Sequence, residues 1–188
     1  MSTSSMNAEV FISYASDDRL RILDLVERLR RAGVSVWIDQ MGIEGATMWS
    51  QEIVEAIDGC KVLILAISQR STESENVVKE LALASERRKK ILPVCLDSSG
   101  IPKSMEYQLA GIQRVEYVEG EEEQGLLAMM YFDLGKIDFA NTWLEKAIKN
   151  RESALWGVAA DDEYAEWQKH PKFIELMKSV NHPLYVDK

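Results

Sequence analysis

The sequence predicts an α/β fold, a five-stranded parallel sheet covered by helices on both faces, followed by a small all-α segment. Three observations carry this. Short apolar runs alternate with helical periods as far as residue 118, the order expected of a parallel sheet with crossover helices. The third run, residues 62–67, is apolar without a break, as in a strand buried on both faces. Beyond an acidic stretch at 119–123, the apolar residues keep helical spacing alone.

Each element has its own signal. Residues 10–14 (Val-Phe-Ile-Ser-Tyr) read as a strand, ended by the turn-prone 15–18 (Ala-Ser-Asp-Asp). Ile22, Leu25, Val26 and Leu29 follow the i, i+3, i+4, i+7 spacing of an amphipathic helix, with Gly33 just beyond it. Residues 34–39 form a second strand, and 40–47 a loop with two glycines. Trp49, Ile53, Ala56 and Ile57 mark a helix, 62–67 the third strand, 69–75 a loop, 75–88 a helix and 91–96 the fourth strand. A short helix at 107–110 and a fifth strand at 114–118 complete the unit.

The expected organisation is a flexible N-terminus at 1–8, an α/β domain at 9–118, an acidic linker at 119–125 and a helical segment at 126–188. In the last, Leu127, Met130, Tyr131, Leu134, Phe139, Trp143, Leu144, Ala147 and Ile148 predict a helical hairpin broken at Gly135. Residues 164–167 and 171–180 add further helix. The tail's aromatics, Tyr131, Phe139, Trp143, Trp156, Tyr164, Trp167 and Phe173, are too many to stay in water. One hairpin buries too little by itself, so they are expected to pack on the α/β domain, on a second copy or on a partner protein.

Composition excludes several classes of function. The 188 residues carry 22 Lys and Arg against 31 Asp and Glu, a net charge of -9, and phosphate-backbone binding needs clustered cations. Residues 1–118 hold 14 cations and 17 anions and the remainder 8 and 14, so the tail is the more acidic part. No apolar run approaches the roughly 20 residues that span a bilayer, and residues 1–7 lack the apolar core of a signal peptide. A cytoplasmic location with no membrane and no direct nucleic-acid contact is therefore expected. Cys60 and Cys95 lie in apolar segments without a CxxC pair, the pattern of buried free thiols. His170 and His182 have no Cys/His cluster around them, so neither a zinc site nor a histidine triad is expected.

The motifs, taken in order, resemble the Toll/interleukin-1 receptor (TIR) domain. Residues 10–18 are similar to that family's opening strand and loop. Residues 36–39 (Val-Trp-Ile-Asp), the glycine-bearing loop and 49–53 (Trp-Ser-Gln-Glu-Ile) resemble its second strand, BB loop and following helix. Residues 63–68 and 74–81 match the third strand and the helix bearing the family's acidic residue, and 91–94 (Ile-Leu-Pro-Val) the next strand. The resemblance covers residues 9–118 and implies a flavodoxin-like three-layer sandwich. The tail is more weakly similar to one tetratricopeptide-type hairpin, through Ala128, Tyr131, Leu134, Gly135, Phe139, Ala140 and 144–147.

In a sheet of order 2-1-3-4-5 the strand order reverses between strands one and three, and ligands bind beyond the carboxyl ends of the strands at that point. Glu80 lies early in the helix leaving this crevice, at the margin of the stripe formed by Val77, Leu81 and Ala84. On periodicity alone a solvated glutamate paired with Lys79 or Arg87 is the commoner outcome. The resemblance points the other way. Enzymatic TIR domains cleave the nicotinamide–ribose bond of NAD+, and their essential glutamate stands at this position. NAD+ is then the substrate, and no cofactor is implied. A fixed carboxylate in a water-poor pocket stabilises the oxocarbenium character that the ribose acquires as nicotinamide leaves. Products are nicotinamide and ADP-ribose, or a cyclic or conjugated ADP-ribose.

Further substrate-binding candidates follow from the resemblance: Ser13, Tyr14, Ala15 and Ser16 at the end of the first strand, Asp39 and Glu44 in and before the BB loop, Trp49, and Asn76. Ala15 and Ser16 stand where some family members place arginines, and Asn76 where many have a tryptophan. Trp49 also reads as a packing residue, and Asp39 as a residue that structures the BB loop. The resemblance further implies self-association through TIR–TIR contacts and a setting in bacterial anti-phage defence, and the helical tail is a candidate surface for a protein partner. The rival reading is a non-catalytic TIR module acting by association. A phosphorelay receiver fits poorly, because the third strand ends Ile67-Ser68 where its phosphoacceptor aspartate should stand. No GxGxxG follows a strand, which disfavours a Rossmann enzyme.

Overall fold

A computed structural model describes residues 8–39, 48–112, 114–116, 124–151 and 158–186. It divides into two units, Met1–Glu119 and Gly120–Lys188.

The first unit is built on a parallel sheet of order β2-β1-β3-β4-β5. Its strands are β1 (Val10–Ser13), β2 (Val36–Ile38), β3 (Val62–Ile67), β4 (Lys90–Cys95) and a two-residue edge, β5 (Val115–Glu116). The register sets Ile12 beside both Ile38 and Ile64, and Ser13 beside Leu65. Side chains alternate between the faces of a strand. Phe11, Leu63, Leu65 and Ile67 accordingly share one core with Trp37 and with residues of three helices. These are α2 (Met48–Gly59), α4 (Glu75–Glu86) and α5 (Lys103–Leu109), which contribute Ile57, then Val77, Leu81 and Ala84, then Met105. The Phe11 and Trp37 rings stack at 4.8 Å across β1 and β2. Helix α1 (Arg19–Arg31) buries Ile22, Leu25, Val26 and Leu29, the stripe expected from its spacing.

The differences from expectation have local causes. The second strand begins at Val36 rather than at residue 34, because Val34 N–H donates to the Leu29 carbonyl and Gly33 N–H to that of Arg30. With Gly33 at φ 85°, this is a Schellman cap, and it uses the residues that would open the strand. Residues 69–75 are not simply a loop. Gln69–Glu73 forms a short helix, α3, started by Ser68, whose side chain accepts from Ser71 N–H while Ser71 Oγ accepts from Ser68 N–H. Helix α4 stops at Glu86 through a second Schellman cap: Arg88 N–H donates to Ser85 and Lys89 N–H to Ala84, with Arg88 at φ 53°. The fifth strand begins at Val115 rather than at residue 114, and its expected last two residues lie outside the described ones. Cys60 is buried, but Cys95 is only half-buried.

The second unit opens with α6 (Gln124–Asp133), so residues 124–125 are helical rather than part of a linker. The linker's remaining residues, 119–123, lie outside the described ones, as do 1–7 and Trp156. Gly135, at φ 73°, caps α6 and turns the chain into α7 (Ile137–Asn150), giving the expected hairpin. A 3-10 turn at Asp162–Tyr164, a short helix at Ala165–Gln168 and a helix at Pro171–Ser179 follow.

The expectation that the tail's aromatics need an outside surface is corrected in part. Phe132 stacks on Trp167 at 5.2 Å, Tyr164 tilts against Phe132 at 5.5 Å, and Phe173 meets Trp167 edge-on at 5.1 Å. The additional helices supply the layer that one hairpin lacks. At the centre of this cluster Trp167 Nε1–H donates to Asn141 Oδ1 at 2.9 Å.

Candidate active site

Two strand ends and one helix build the site. Ser13 is the last residue of β1 and shares a face with Phe11 two positions earlier, so it faces the side of the sheet that α4 covers. On α4, Val77, Leu81 and Ala84 are buried, and Glu80 sits beside that stripe, partly buried. Register and helical phase thus bring together two residues 67 positions apart. Ser13 Oγ donates to Glu80 Oε2 at 2.5 Å, and Ser13 is 0% exposed. The end of β2 is tied to the same place. Tyr14 Oη donates to the Asp39 backbone carbonyl at 2.7 Å.

The charges here act on one another. Burial pushes the Glu80 carboxyl up to about 7; the Ser13 hydrogen bond opposes that and the Asp39 charge adds to it. A carboxylate with little water around it has a costly charged form, and titration near neutral pH is common at functional sites. The Tyr14 hydroxyl is also raised, first by burial, with Asp39 and Glu80 adding and Arg19 opposing. Neither suggested ion pair forms on Glu80: Lys79 pairs with Glu75, and Arg87 with Asp58.

The other expected site residues are placed as follows. Ala15 is buried, and its carbonyl accepts from Asp18 N–H at 2.8 Å. Ser16 is exposed in the 3-10 turn Ser16–Asp18, and Asn76 is exposed in the first turn of α4. Trp49 lies on α2, with its side chain outside the described residues; Glu44 and the whole 40–47 loop lie outside them too. Ser13, Tyr14, Asp39 and Glu80 are therefore the group the structure brings together.

A second cluster at this end of the sheet escaped the sequence reading. Asp18 is 2% exposed, accepts from Ser68 Oγ, and pairs with Arg70 Nη1 at 3.2 Å. Ser68 occupies the end of β3, the position that disfavoured a receiver, and there it binds the loop after β1. The signal was the pair of polar residues following two apolar strands, 50 positions apart. Among the described residues no group of three His, Cys, Asp or Glu could hold a metal ion. No helix among them is long and apolar enough to cross a membrane.

Comparison with known proteins agrees with the fold. The family model of the TIR domain matches residues 10–130. A curated relative, described as a probable 2′ cyclic ADP-D-ribose synthase, BdTIR, of Brachypodium distachyon, is 33% identical over 91 residues. That alignment covers 47% of this chain and 41% of the relative, so the chain spans less than half of the relative's length. Among solved structures, the TIR domain of the Toll-related receptor TRR-2 of Hydra magnipapillata superposes with a TM-score of 0.52. It is 18% identical, over 70% of this chain and 98% of that one, a likeness of fold alone.

Proposed function

The chain belongs to the TIR-domain family, and from that premise we propose that it cleaves the nicotinamide–ribose bond of NAD+ with Glu80 as its catalytic carboxylate. The observation that carries the reading is the partly buried Glu80, hydrogen-bonded to Ser13 at the carboxyl ends of β1 and β3, the switch point at which open α/β sheets bind ligands. The relative named as a cyclic ADP-ribose synthase supports the same substrate class.

The chemistry asks little of the protein. The bond from ribose C1′ to the nicotinamide nitrogen breaks with its electron pair going to the ring, which leaves neutral and needs no acid. Positive charge develops on C1′ and the ring oxygen, and an ionised Glu80 stabilises it. Water adding at C1′ and losing a proton yields ADP-ribose; a hydroxyl of the same molecule adding there yields a cyclic product. The reading includes self-association through TIR–TIR contacts and a role in anti-phage defence, the setting that the resemblance implies.

The deciding experiment measures nicotinamide release from NAD+ by the purified wild-type protein and Glu80→Gln. Near-complete loss of turnover in a folded Glu80→Gln protein supports the assignment. Equal rates refute it, and no release from either protein favours the non-catalytic interaction module.

A further inference from the structure

We propose that Ser13 is the positioning residue of Glu80, holding the carboxylate in place without touching substrate. This rests on the catalytic reading of Glu80 and adds a residue that acts through it.

The resemblance offered Ser13 as a substrate contact, and the geometry argues for a different role. A residue that is 0% exposed presents no surface to a ligand. Its hydroxyl is already committed: it donates to Glu80 Oε2 at 2.5 Å, within the range of charge-assisted O–H···O⁻ bonds. Its backbone is held by pairing of β1 with β2 on one side and β3 on the other, the latter setting Ser13 beside Leu65. A strand in mid-sheet is a firmer support for a reacting group than a loop. Among the described residues this is the hydrogen bond made to the carboxylate, and it is made through Oε2.

Ser13 also acts against the burial of Glu80, since its hydrogen bond favours the ionised form. The other groups around it do not. Asp39 at the end of β2 disfavours ionisation, and Tyr14 is bound to the Asp39 carbonyl. Arg19, on α1, acts on Tyr14. On the helices packed against α4, Glu52, Glu55, Lys103, Glu106, Arg70 and Glu73 are exposed, and Asp58 pairs with Arg87. The α4 residue Lys79 pairs with Glu75. Among the described residues, removing Ser13 leaves the buried charge without its hydrogen-bond donor.

The test compares wild type, Ser13→Ala and Ser13→Thr in two readouts: the pH dependence of NAD+ cleavage, and the titration of the Glu80 carboxyl by carbon NMR. For Ser13→Ala we expect kcat at pH 7 to fall about tenfold or more, and the acid limb and NMR midpoint to rise by about one pH unit. KM should be unchanged, and Ser13→Thr, which keeps the hydroxyl, should restore both readouts. A raised KM at constant kcat would make Ser13 a substrate contact, and an unmoved Glu80 titration would remove the positioning role. Should Ser13→Ala not fold, Ser13→Cys, a weaker donor, is measured in its place against the same expectations. NMR separates the two failures: if Glu80→Gln cleaves NAD+ normally, the catalytic reading falls, while the titration still decides whether Ser13 governs Glu80.

Discussion

Tyr14 hydrogen-bonds the Asp39 carbonyl at 2.7 Å, fastening the exit of β1 to the exit of β2 beside Glu80. Tyr14→Phe keeps the ring and removes this bond. The expected cost is about 1 kcal/mol in denaturant unfolding, with a larger proportional fall in NAD+ cleavage, because the bond fixes Asp39 at the exit of β2 beside Glu80. Unchanged activity in a destabilised Tyr14→Phe would make the contact purely structural.

The Glu80 carboxyl, raised to about 7, makes activity and stability run in opposite directions with pH. Under the proposed mechanism cleavage needs the ionised form, so the rate should climb through pH 7 and fall below it. The folded state, in contrast, holds the proton more tightly than the unfolded chain, whose glutamates titrate near 4.5. The burial cost is therefore absent below that value, grows as pH rises and is complete above about 7. Its size is on the order of 3 kcal/mol. Glu80→Gln should accordingly melt higher than wild type at pH 8 and near it at pH 4. A lower melting temperature at pH 8 would count against the burial argument.

Arg88 closes α4 at φ 53°, a conformation that costs a residue with a Cβ roughly 1 kcal/mol more than glycine. Arg88→Gly should therefore stabilise the first unit by up to about 1 kcal/mol, read as a higher denaturation midpoint with unchanged NAD+ cleavage. A fall in the midpoint would show that the arginine side chain contributes more than the strain costs.

In the second unit, Asn141 accepts from the fully buried Trp167 and meets His170 Nδ1 at 3.2 Å. Lys172 N–H also donates to that nitrogen, so Nδ1 is an acceptor and Asn141 donates to it. Asn141→Leu leaves the indole N–H without its partner. It should destabilise the protein by about 1–3 kcal/mol and leave turnover per folded molecule unchanged. Full stability in Asn141→Leu would mean that the indole finds another acceptor.

Self-association is tested by dilution. If neighbouring molecules complete the pocket, specific activity should fall as concentration drops through the dissociation range seen by light scattering. Constant specific activity from a monomer throughout would remove the idea.

Much of this was legible in advance, and the reasons are local. Residues 62–67 form β3 as expected, because an unbroken apolar run with turn residues at both ends has few other uses. The α1 stripe and the Gly135 break were equally plain. What escaped were interactions between distant positions. Glu80 was singled out by resemblance, yet its bond to Ser13 needed the phase of a helix and the parity of a strand to be combined across 67 positions. The short helix α3 escaped because five polar residues give no period, and its start rests on the reciprocal bonds of Ser68 and Ser71. The tail was underestimated by counting one hairpin, when its core depends on Trp167 and Phe173 from later helices.

The order of the strands has a consequence for biosynthesis. β1 pairs with β3 rather than ending beside β2 alone, and Glu80 follows β3 in the chain. A growing polypeptide therefore carries the Ser13 half of the site for about as long as the next 67 residues take to emerge. Until β3 is inserted and α4 has docked, no carboxylate faces Ser13, and a nascent chain halted before residue 80 is catalytically silent under the proposed mechanism.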